Sequence, residues 1–171
     1  MSGSLRSGSR GAAARVLVPL LDRLIDDAPD QTRDPPQSAA ESMAALRQSV
    51  RRDLESLLNA RRCWKTWPAS LSELNISPIG YGIPDFTSGA YNDAGRREEL
   101  RQDIEQAIRD FEPRFLSVRV ALIEATERLE ATLRLRVEAV LHAEPMPEPI
   151  TFDTLIDPTT DNIVVRANDA G

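Results

Sequence analysis

The side chains of this 171-residue chain that could perform acid–base chemistry are mainly carboxylates. Two carboxylic acids flanking a sugar are what a glycoside hydrolase requires, and the candidates here are Glu98, Glu112 and Asp85. None of the three lies in a motif typical of a catalytic site, and charged helices contain such pairs by chance. The carboxylates alone therefore do not indicate an enzyme, and we assign no catalytic residue.

The single cysteine and the single histidine add little further chemistry. Cys63 and His142 are far apart in sequence, and nothing near either residue supports a nucleophile–base pair. We expect Cys63 to be a small buried apolar residue and His142 to lie on the surface at the end of a strand. One cysteine excludes a disulfide within the chain, and no zinc-ligand spacing occurs. We expect neither a metal nor a cofactor.

Two glycines flank Tyr81 and could suggest a phosphate-binding loop. Gly80 and Gly82 lack the third glycine, the lysine and the following helix of nucleotide-binding loops. With Pro84 close by, they predict instead a tight loop that packs aromatic groups.

Composition and charge narrow the class of protein. A net charge of −6, with 28% charged and 41% hydrophobic residues, is ordinary for a soluble globular protein. The acidic balance argues against general nucleic-acid binding, which needs a basic stripe. The apolar run at residues 16–21 is too short to span a membrane, which takes about 20 residues. We therefore expect no nucleic-acid partner and no membrane insertion.

The chain divides into three parts by composition. Residues 1–14 are small and polar and predict a disordered, flexible N-terminal tail. Residues 15–37 form an arm and a proline-containing loop. Residues 38–168 predict a single α+β domain, a common size for one folding unit.

The first strong element is a helix over residues 38–62. Ser38 followed by Glu41 fits a capping box. A buried stripe with helical spacing comprises Leu46, Val50, Leu54, Leu57 and Leu58. The opposite face carries Arg51, Arg52, Glu55, Asn59 and Arg62.

Two charged residues of this helix project towards its apolar side. Asp53 falls on the Leu46 side and Arg61 on the Val50 side, at about 100° per residue. A buried charge without a partner is costly, so each should meet an opposite charge or polar groups. The alternative is that both reach solvent at the edge of the stripe.

A second helix over residues 94–111 follows an irregular segment. Ser70 and Glu73 have capping-box spacing and predict one helical turn before it. Asn92 or Asp93 can cap the second helix. Its stripe comprises Leu100, Ile104, Ala107, Ile108 and Phe111. Pro113 ends it, because the residue before a proline avoids the α region, and Glu112-Pro113-Arg114 becomes a rigid corner.

Alternating apolar residues after the corner predict strands. Leu116, Val118, Val120 and Leu122 should share one face. Four strands are predicted at residues 116–122, 133–141, 150–156 and 162–166. Residues 126–130 and 157–161 should be turns, with breaks at Pro145, Pro147 and Pro149. Helices followed by strands indicate an α+β fold: two amphipathic helices packed on one face of a small antiparallel sheet.

Four blocks occur in a fixed order between residues 16 and 120. They are residues 19–29, residues 49–62, the loop Tyr81-Gly82-Ile83-Pro84-Asp85-Phe86, and Phe111-Glu112-Pro113-Arg114 before a valine-rich strand. Together they resemble TssE, the small baseplate subunit of bacterial type VI secretion systems. The corner also resembles that of contractile-phage baseplate wedge proteins. The later strands agree with this family in pattern only, and residues 1–14 match no part of it.

The resemblance implies a non-enzymatic assembly protein of the cytoplasm, at baseplates docked on the inner membrane complex. In such baseplates the small subunit contacts the helical core formed by the wedge proteins TssF and TssG, and TssK is a further expected partner. Its sheet resembles the domain through which sheath subunits join. It can therefore template the first ring of the TssB–TssC sheath by strand addition.

We expect the partner contacts at the corner and on the polar face of the first helix, namely at Glu112, Pro113, Arg114, Arg51, Arg52, Glu55 and Arg62. Tyr81, Gly82, Pro84 and Asp85 should form a structural loop. Two interpretations of the corner remain open. Either Glu112 and Arg114 bind the wedge core, or they pair within the monomer and stabilise the fold.

A different function also remains open, because the family has long carried a lysozyme-like label. A muramidase that trims peptidoglycan would need a sugar-sized cleft lined by two carboxylates about 5–9.5 Å apart.

Overall fold

The computed structural model describes residues 20–24, 38–63, 66–85, 93–123, 133–143, 146–157 and 162–168. The predicted tail, most of the arm, the turn at 126–130 and most of the turn at 157–161 lie outside these residues. The elements are α1 (Leu20–Leu24), α2 (Ala39–Asn59), a 3₁₀ helix (Ala69–Ile76), α3 (Ala94–Phe111), β1 (Phe115–Ile123), β2 (Leu133–Leu141), β3 (Glu148–Ile156) and β4 (Ile163–Ala167).

Both long helices begin where their caps predict. Ser38 Oγ accepts from the Glu41 N–H at 3.2 Å, and Glu41 Oε2 accepts from the Ser38 N–H at 2.7 Å, so the capping box is confirmed. Asp93 accepts from the Arg96 N–H at 3.0 Å and caps α3. The two predicted apolar stripes are buried in one core, except that Phe111 is only partly buried.

The end of α2 lies three residues before the predicted one. Ala60 is extended, and its N–H closes the last turn on the carbonyls of Ser56 and Leu57. Arg61 therefore lies beyond the helix and is exposed, in an isolated parallel bridge with Ile83. The projection of Arg61 onto the apolar stripe was wrong for this reason. Cys63, expected to be buried, is likewise past the helix and exposed.

The four strands form one antiparallel sheet in the order β1-β2-β3-β4. The α+β fold is confirmed: α3 packs against β1, and α2 packs against β4. One sheet face, with Val120, Leu135 and Phe152, is buried beneath the helices. The other face alternates exposed and half-buried residues, as expected of an antiparallel sheet with one wet side.

Local details of three predicted elements differ. Leu116 is 56% exposed, because an irregularity in the register between Phe115 and Ser117 takes it out of the alternation. Pro149 lies inside β3 rather than breaking it. Its position in the alternation directs its missing N–H towards the β4 side, and β4 pairs no further than Phe152.

The short helix before the loop also begins differently from the prediction. It starts after Pro68 with no side-chain cap, so the capping box at Ser70 and Glu73 does not form. Leu71 has non-helical angles, and a kink there joins two short helical turns into the 3₁₀ helix.

Candidate functional site

The corner between α3 and β1 contains a buried ion pair. Arg114 Nε donates to Glu112 Oε1 at 2.6 Å, and Arg114 Nη2 contacts Glu112 Oε2. The Arg114 backbone N–H donates to the same carboxylate at 3.2 Å. Only 5% of the Glu112 side chain is exposed, against 23% of Arg114. Pro113 turns the chain so that the two residues on either side of it can pair.

The same guanidinium joins the corner to α2. Arg114 Nη2 donates to Asp53 Oδ2 at 2.7 Å, and Nη1 donates to Ser49 Oγ at 3.2 Å. Asp53 thus meets an opposite charge from another element, as one of its two interpretations predicted. It also remains 39% exposed, so it lies at the margin of the core rather than inside it.

A second arginine extends these contacts to the N-terminal arm. Arg52 Nη1 donates to Asp22 Oδ1 of α1 at 2.7 Å, and Arg52 Nη2 donates to Ser49 Oγ at 3.3 Å. We call this set of side chains the Arg114 network; its members are Asp22, Ser49, Arg52, Asp53, Glu112 and Arg114. It joins α1, α2 and the α3–β1 corner through charge-assisted hydrogen bonds.

The network shifts the pKa values of its own members and of Tyr81, which lies beside it. Burial alone would lower the pKa of Arg114, but the hydrogen bonds and charges of Glu112 and Asp53 raise it. The hydrogen bonds from Arg52 and Ser49 lower the pKa of Asp22. Burial, together with the negative charges of Asp53 and Glu112, raises the pKa of Tyr81. The shifts of Asp22 and Arg114 both favour the charged form, as expected for groups that hydrogen-bond to an opposite charge.

A groove of about 340 Å³ opens beside the network. Its lining residues are Asp53, Leu54, Leu57, Tyr81, Phe111, Glu112, Pro113 and Arg114. The rings of Tyr81 and Phe111 meet edge to face, with centroids 5.3 Å apart. The floor is thus apolar and aromatic, with the Glu112–Arg114 pair at one side.

The predicted structural loop is attached to the end of α2 by backbone hydrogen bonds. The Arg62 N–H donates to the Ile83 carbonyl at 2.9 Å, and the Ile83 N–H donates to the Ala60 carbonyl at 3.0 Å. Gly82 has φ of 105°, and a Cβ there would lie 2.5 Å from the Ala60 oxygen. Pro84 and the exposed Asp85 follow, and Phe86 lies outside the described residues.

The polar residues of the first predicted helix make contacts within the monomer. Arg51 pairs with Glu55 at 3.0 Å, and Arg62, just beyond α2, lies 3.7 Å from Asp103 of α3. Arg52 pairs with Asp22 and Asp53. Because Arg51 and Arg52 remain part-exposed, a partner could still share them.

Two of the three carboxylates considered for catalysis pair with arginines, and the third, Asp85, is exposed. Glu98 pairs with Arg101 on the wet side of α3, and Glu112 is occupied by Arg114. The His142 side chain is exposed, as predicted. The backbone N–H of His142 donates to the backbone carbonyl of Arg114 at 2.8 Å. Within the part of the chain that the structure describes, no group of three or more His, Cys, Asp or Glu residues could hold a metal ion. No described helix is long and apolar enough to cross a membrane.

The sequence analysis missed the helix residues whose side chains hydrogen-bond to backbone groups of the two outer strands, β4 and β1. Asn59 Nδ2 donates to the Ile163 carbonyl at 2.8 Å, and Asn59 Oδ1 accepts from the Ile163 N–H at 2.9 Å. On the other edge, Glu105 Oε2 accepts from the Val120 N–H at 3.0 Å. Their positions on polar helix faces carried no signal for this role, since the contacts depend on how each helix crosses the sheet.

Comparison with known families identifies the class of protein to which this fold and corner belong. The family model for "Baseplate wedge protein gp25" matches residues 44–146, which include most of α2, the loop, α3, the corner and the first two strands. A comparison with curated proteins found no match. The chain belongs to the baseplate wedge protein gp25 family, which includes TssE of type VI secretion systems.

Proposed function

We propose that this chain is a non-enzymatic structural subunit of the baseplate of a type VI secretion system, a contractile injection machine. The observation that carries the proposal is the family match, because residues 44–146 include every member of the Arg114 network except Asp22. A subunit of this kind acts by recognition: it presents a rigid surface to its neighbours and starts their assembly.

The proposed wedge-binding surface is the groove and its rim. An aromatic and aliphatic floor beside a fixed ion pair suits an amphipathic helix that buries apolar residues and hydrogen-bonds at the rim. The proposed partners are the wedge proteins TssF and TssG, with TssK in the same assembly. Arg51, Arg52, Glu55 and Arg62 extend the proposed contact along the first helix and just past its end.

The proposed second role is to template the first ring of the TssB–TssC sheath. A four-stranded antiparallel sheet can be extended by one strand from another protein, through backbone hydrogen bonds at an edge. We place this work in the cytoplasm, at baseplates docked on the inner membrane complex.

Affinity capture of the tagged protein from its native host tests the assembly role. We expect TssF, TssG and sheath subunits to be co-purified. A groove variant, Tyr81→Ala, should reduce wedge recovery, whereas Arg166→Ala on the outer face of β4 should not. Recovery of neither wedge nor sheath proteins with the wild-type chain would refute the proposal.

Purified protein should not cleave peptidoglycan, because both carboxylates of the groove hydrogen-bond to Arg114. The measurement is release of soluble fragments from purified sacculi, with a muramidase as the positive control. Cleavage that disappears in Glu112→Gln, provided that the variant remains folded, would favour the lysozyme-like alternative.

A further inference from the structure

The outer strands of the sheet have backbone groups that face away from their neighbours, and helix side chains occupy several of them. Unpaired edges are a general hazard, because they can pair with another chain. In β4 the backbone N–H and C=O groups of Ile163, Val165 and Ala167 point away from β3. These residues stand opposite β3 in the non-hydrogen-bonded pairs, which alternate with the hydrogen-bonded ones. In β1 the outward-pointing groups include those of Val118 and Val120.

The β4 edge is closed by two residues of α2. Asn59 makes the two-bond exchange with Ile163 that a residue of a fifth strand would make. Its Nδ2 also donates to the Glu55 carbonyl at 2.7 Å, which holds the amide in position. Arg51 Nη1 donates to the Val165 carbonyl at 3.3 Å. We call Asn59 and Arg51 the β4 latch.

The β1 edge is closed by charged residues of α3. Arg101 Nη1 donates to the Val120 carbonyl at 3.0 Å, and Arg109 Nη2 donates to the Val118 carbonyl at 3.3 Å. Glu105 binds the Val120 N–H and pairs with Arg101 at 2.8 Å and with Arg109 at 2.5 Å. We call Arg101, Glu105 and Arg109 the β1 latch.

The two latches differ in the groups that would lose their hydrogen-bond partners if the latch opened. Moving α3 away from β1 would break three hydrogen bonds to Val118 and Val120, and one of them joins the Val120 N–H to the largely buried carboxylate of Glu105. Asn59 is neutral and exposed and lies at the last residue of α2, so its amide can return to water. An incoming strand would supply Ile163 with the same donor and acceptor that Asn59 withdraws.

We propose that the β4 edge is a gated strand-binding site, closed in the free subunit by Asn59 and opened when an extended strand of another protein displaces it. The occupant is an extended segment of a sheath subunit, a choice that rests on the proposed function. Before assembly the β4 latch covers the outward backbone groups of Ile163 and the carbonyl of Val165. An incoming strand would replace these hydrogen bonds with its own, so opening leaves none of these backbone groups unsatisfied.

Amide hydrogen exchange of the full chain tests the latch without any partner. In the wild type we expect the Ile163 N–H to be protected, although it faces away from β3. In Asn59→Ala its exchange should accelerate at least tenfold, while that of Val120 stays unchanged. Ser56→Ala is the matched control, because its exposed hydroxyl donates to the Arg52 carbonyl within the same helix. Rapid exchange of Ile163 in the wild type would overturn the proposal, even if Asn59→Ala failed to fold.

Binding of purified TssB–TssC sheath subunits tests the occupant. We expect Asn59→Ala to bind them at least tenfold more tightly than the wild type does, because no latch competes. Adding Ala167→Pro should abolish this gain, since proline removes an outward N–H of β4 and obstructs a fifth strand.

The outcomes separate the two levels of the proposal. If the wild type binds the sheath and neither variant changes the affinity, the sheath does not use β4 and the gated site is refuted, while the proposed function stands. If no form of the protein binds the sheath, the templating role itself fails.

Discussion

Arg114 satisfies two carboxylates from different parts of the chain with one planar group. Glu112 lies two residues away across Pro113, whereas Asp53 lies on α2. A lysine could not reproduce this arrangement, because an ammonium group lacks the fixed fork of donors. The corner is therefore braced within the monomer, and any partner meets a surface whose shape is already set.

Arg114→Ala should lower the free energy of unfolding by about 2–3 kcal/mol, because it leaves the carboxylate of Glu112 buried without its charged partner. The part-exposed Asp53 adds little, since water can solvate it. Urea unfolding measures this loss. Arg114→Lys should recover part of it, and Arg119→Ala, an exposed arginine on β1, should stay within about 0.5 kcal/mol of the wild type. A change as small for Arg114→Ala would mean that the corner is not an internal brace.

A second residue-scale prediction concerns a hydroxyl in the core. Thr154 of β3 is 0% exposed, and its Oγ1 is one of the buried polar atoms with no hydrogen-bond partner among the described residues. Thr154→Val should raise the free energy of unfolding by about 1 kcal/mol, because an apolar group of the same shape replaces an unsatisfied one. Thermal unfolding measures the change, with the half-buried Thr151→Val as control. A lower stability would show that the hydroxyl has a partner.

At the scale of elements, the features that the sequence predicted correctly are those set by interactions between residues close together in the chain. The capping box of α2, the Asp93 cap of α3, the 3.6-residue stripes and the alternation of β2 reflect interactions within a few residues, and α3 and β2 have the predicted bounds. The end of α2 was misplaced because its stop is made by Ile83, which pairs with the chain at residues 60–62 from a distant loop. The sequence of residues 59–63 alone does not predict this contact with Ile83.

Long-range contacts explain the remaining differences. The bulge that exposes Leu116 depends on the pairing of β1 with β2, and the partner of Asp53 comes from residue 114. The helix–sheet contacts of Asn59 join residues 104 positions apart. The corner was located from sequence because proline acts locally, but its internal pairing was only one of two interpretations.

Gly82→Ala should destabilise the loop at the end of α2. The new Cβ would lie 2.5 Å from the Ala60 carbonyl oxygen, and the residue would keep a positive φ that L-amino acids disfavour. We expect a loss of about 1–3 kcal/mol in chemical denaturation. Gly95→Ala is the control: it lies in the first turn of α3 without a positive φ, and its Cβ would lie 3.0 Å from Oδ1 of the exposed Asp93 side chain, which can shift by a few tenths of an ångström, so we expect a small change. Equal stabilities of the two variants would contradict this account of the loop.

At the scale of the whole molecule, lowered carboxylate pKa values link stability to pH. Burial raises the pKa of Glu105, but the Val120 N–H and the charges of Arg109 and Arg101 outweigh it, so the pKa lies below the ordinary 4.5. The pKa of Asp22 is likewise below 3.8. The unfolded chain therefore binds more protons at acidic pH, and stability present above about pH 4.5 is lost as the pH falls.

Urea unfolding between pH 7 and pH 3 should show this loss. Glu105→Gln should be less stable than the wild type at pH 7, and the difference should shrink towards pH 3, because protonation removes the same charge. Glu99→Gln, an exposed residue of the same helix, provides the control and should follow the wild type. A difference that is constant with pH would assign the role of Glu105 to packing rather than to charge.

The packing of α2 against β4 has a consequence for the order in which the chain is made. The apolar stripe of α2 is complete at Leu58, but the strand that covers part of it begins at Ile163. At about 5–20 residues per second, a ribosome takes roughly 5–20 s to cover that distance. During this interval β4 does not yet cover the apolar face of the newly made α2. This is the period in which we expect the chain to depend most on a chaperone.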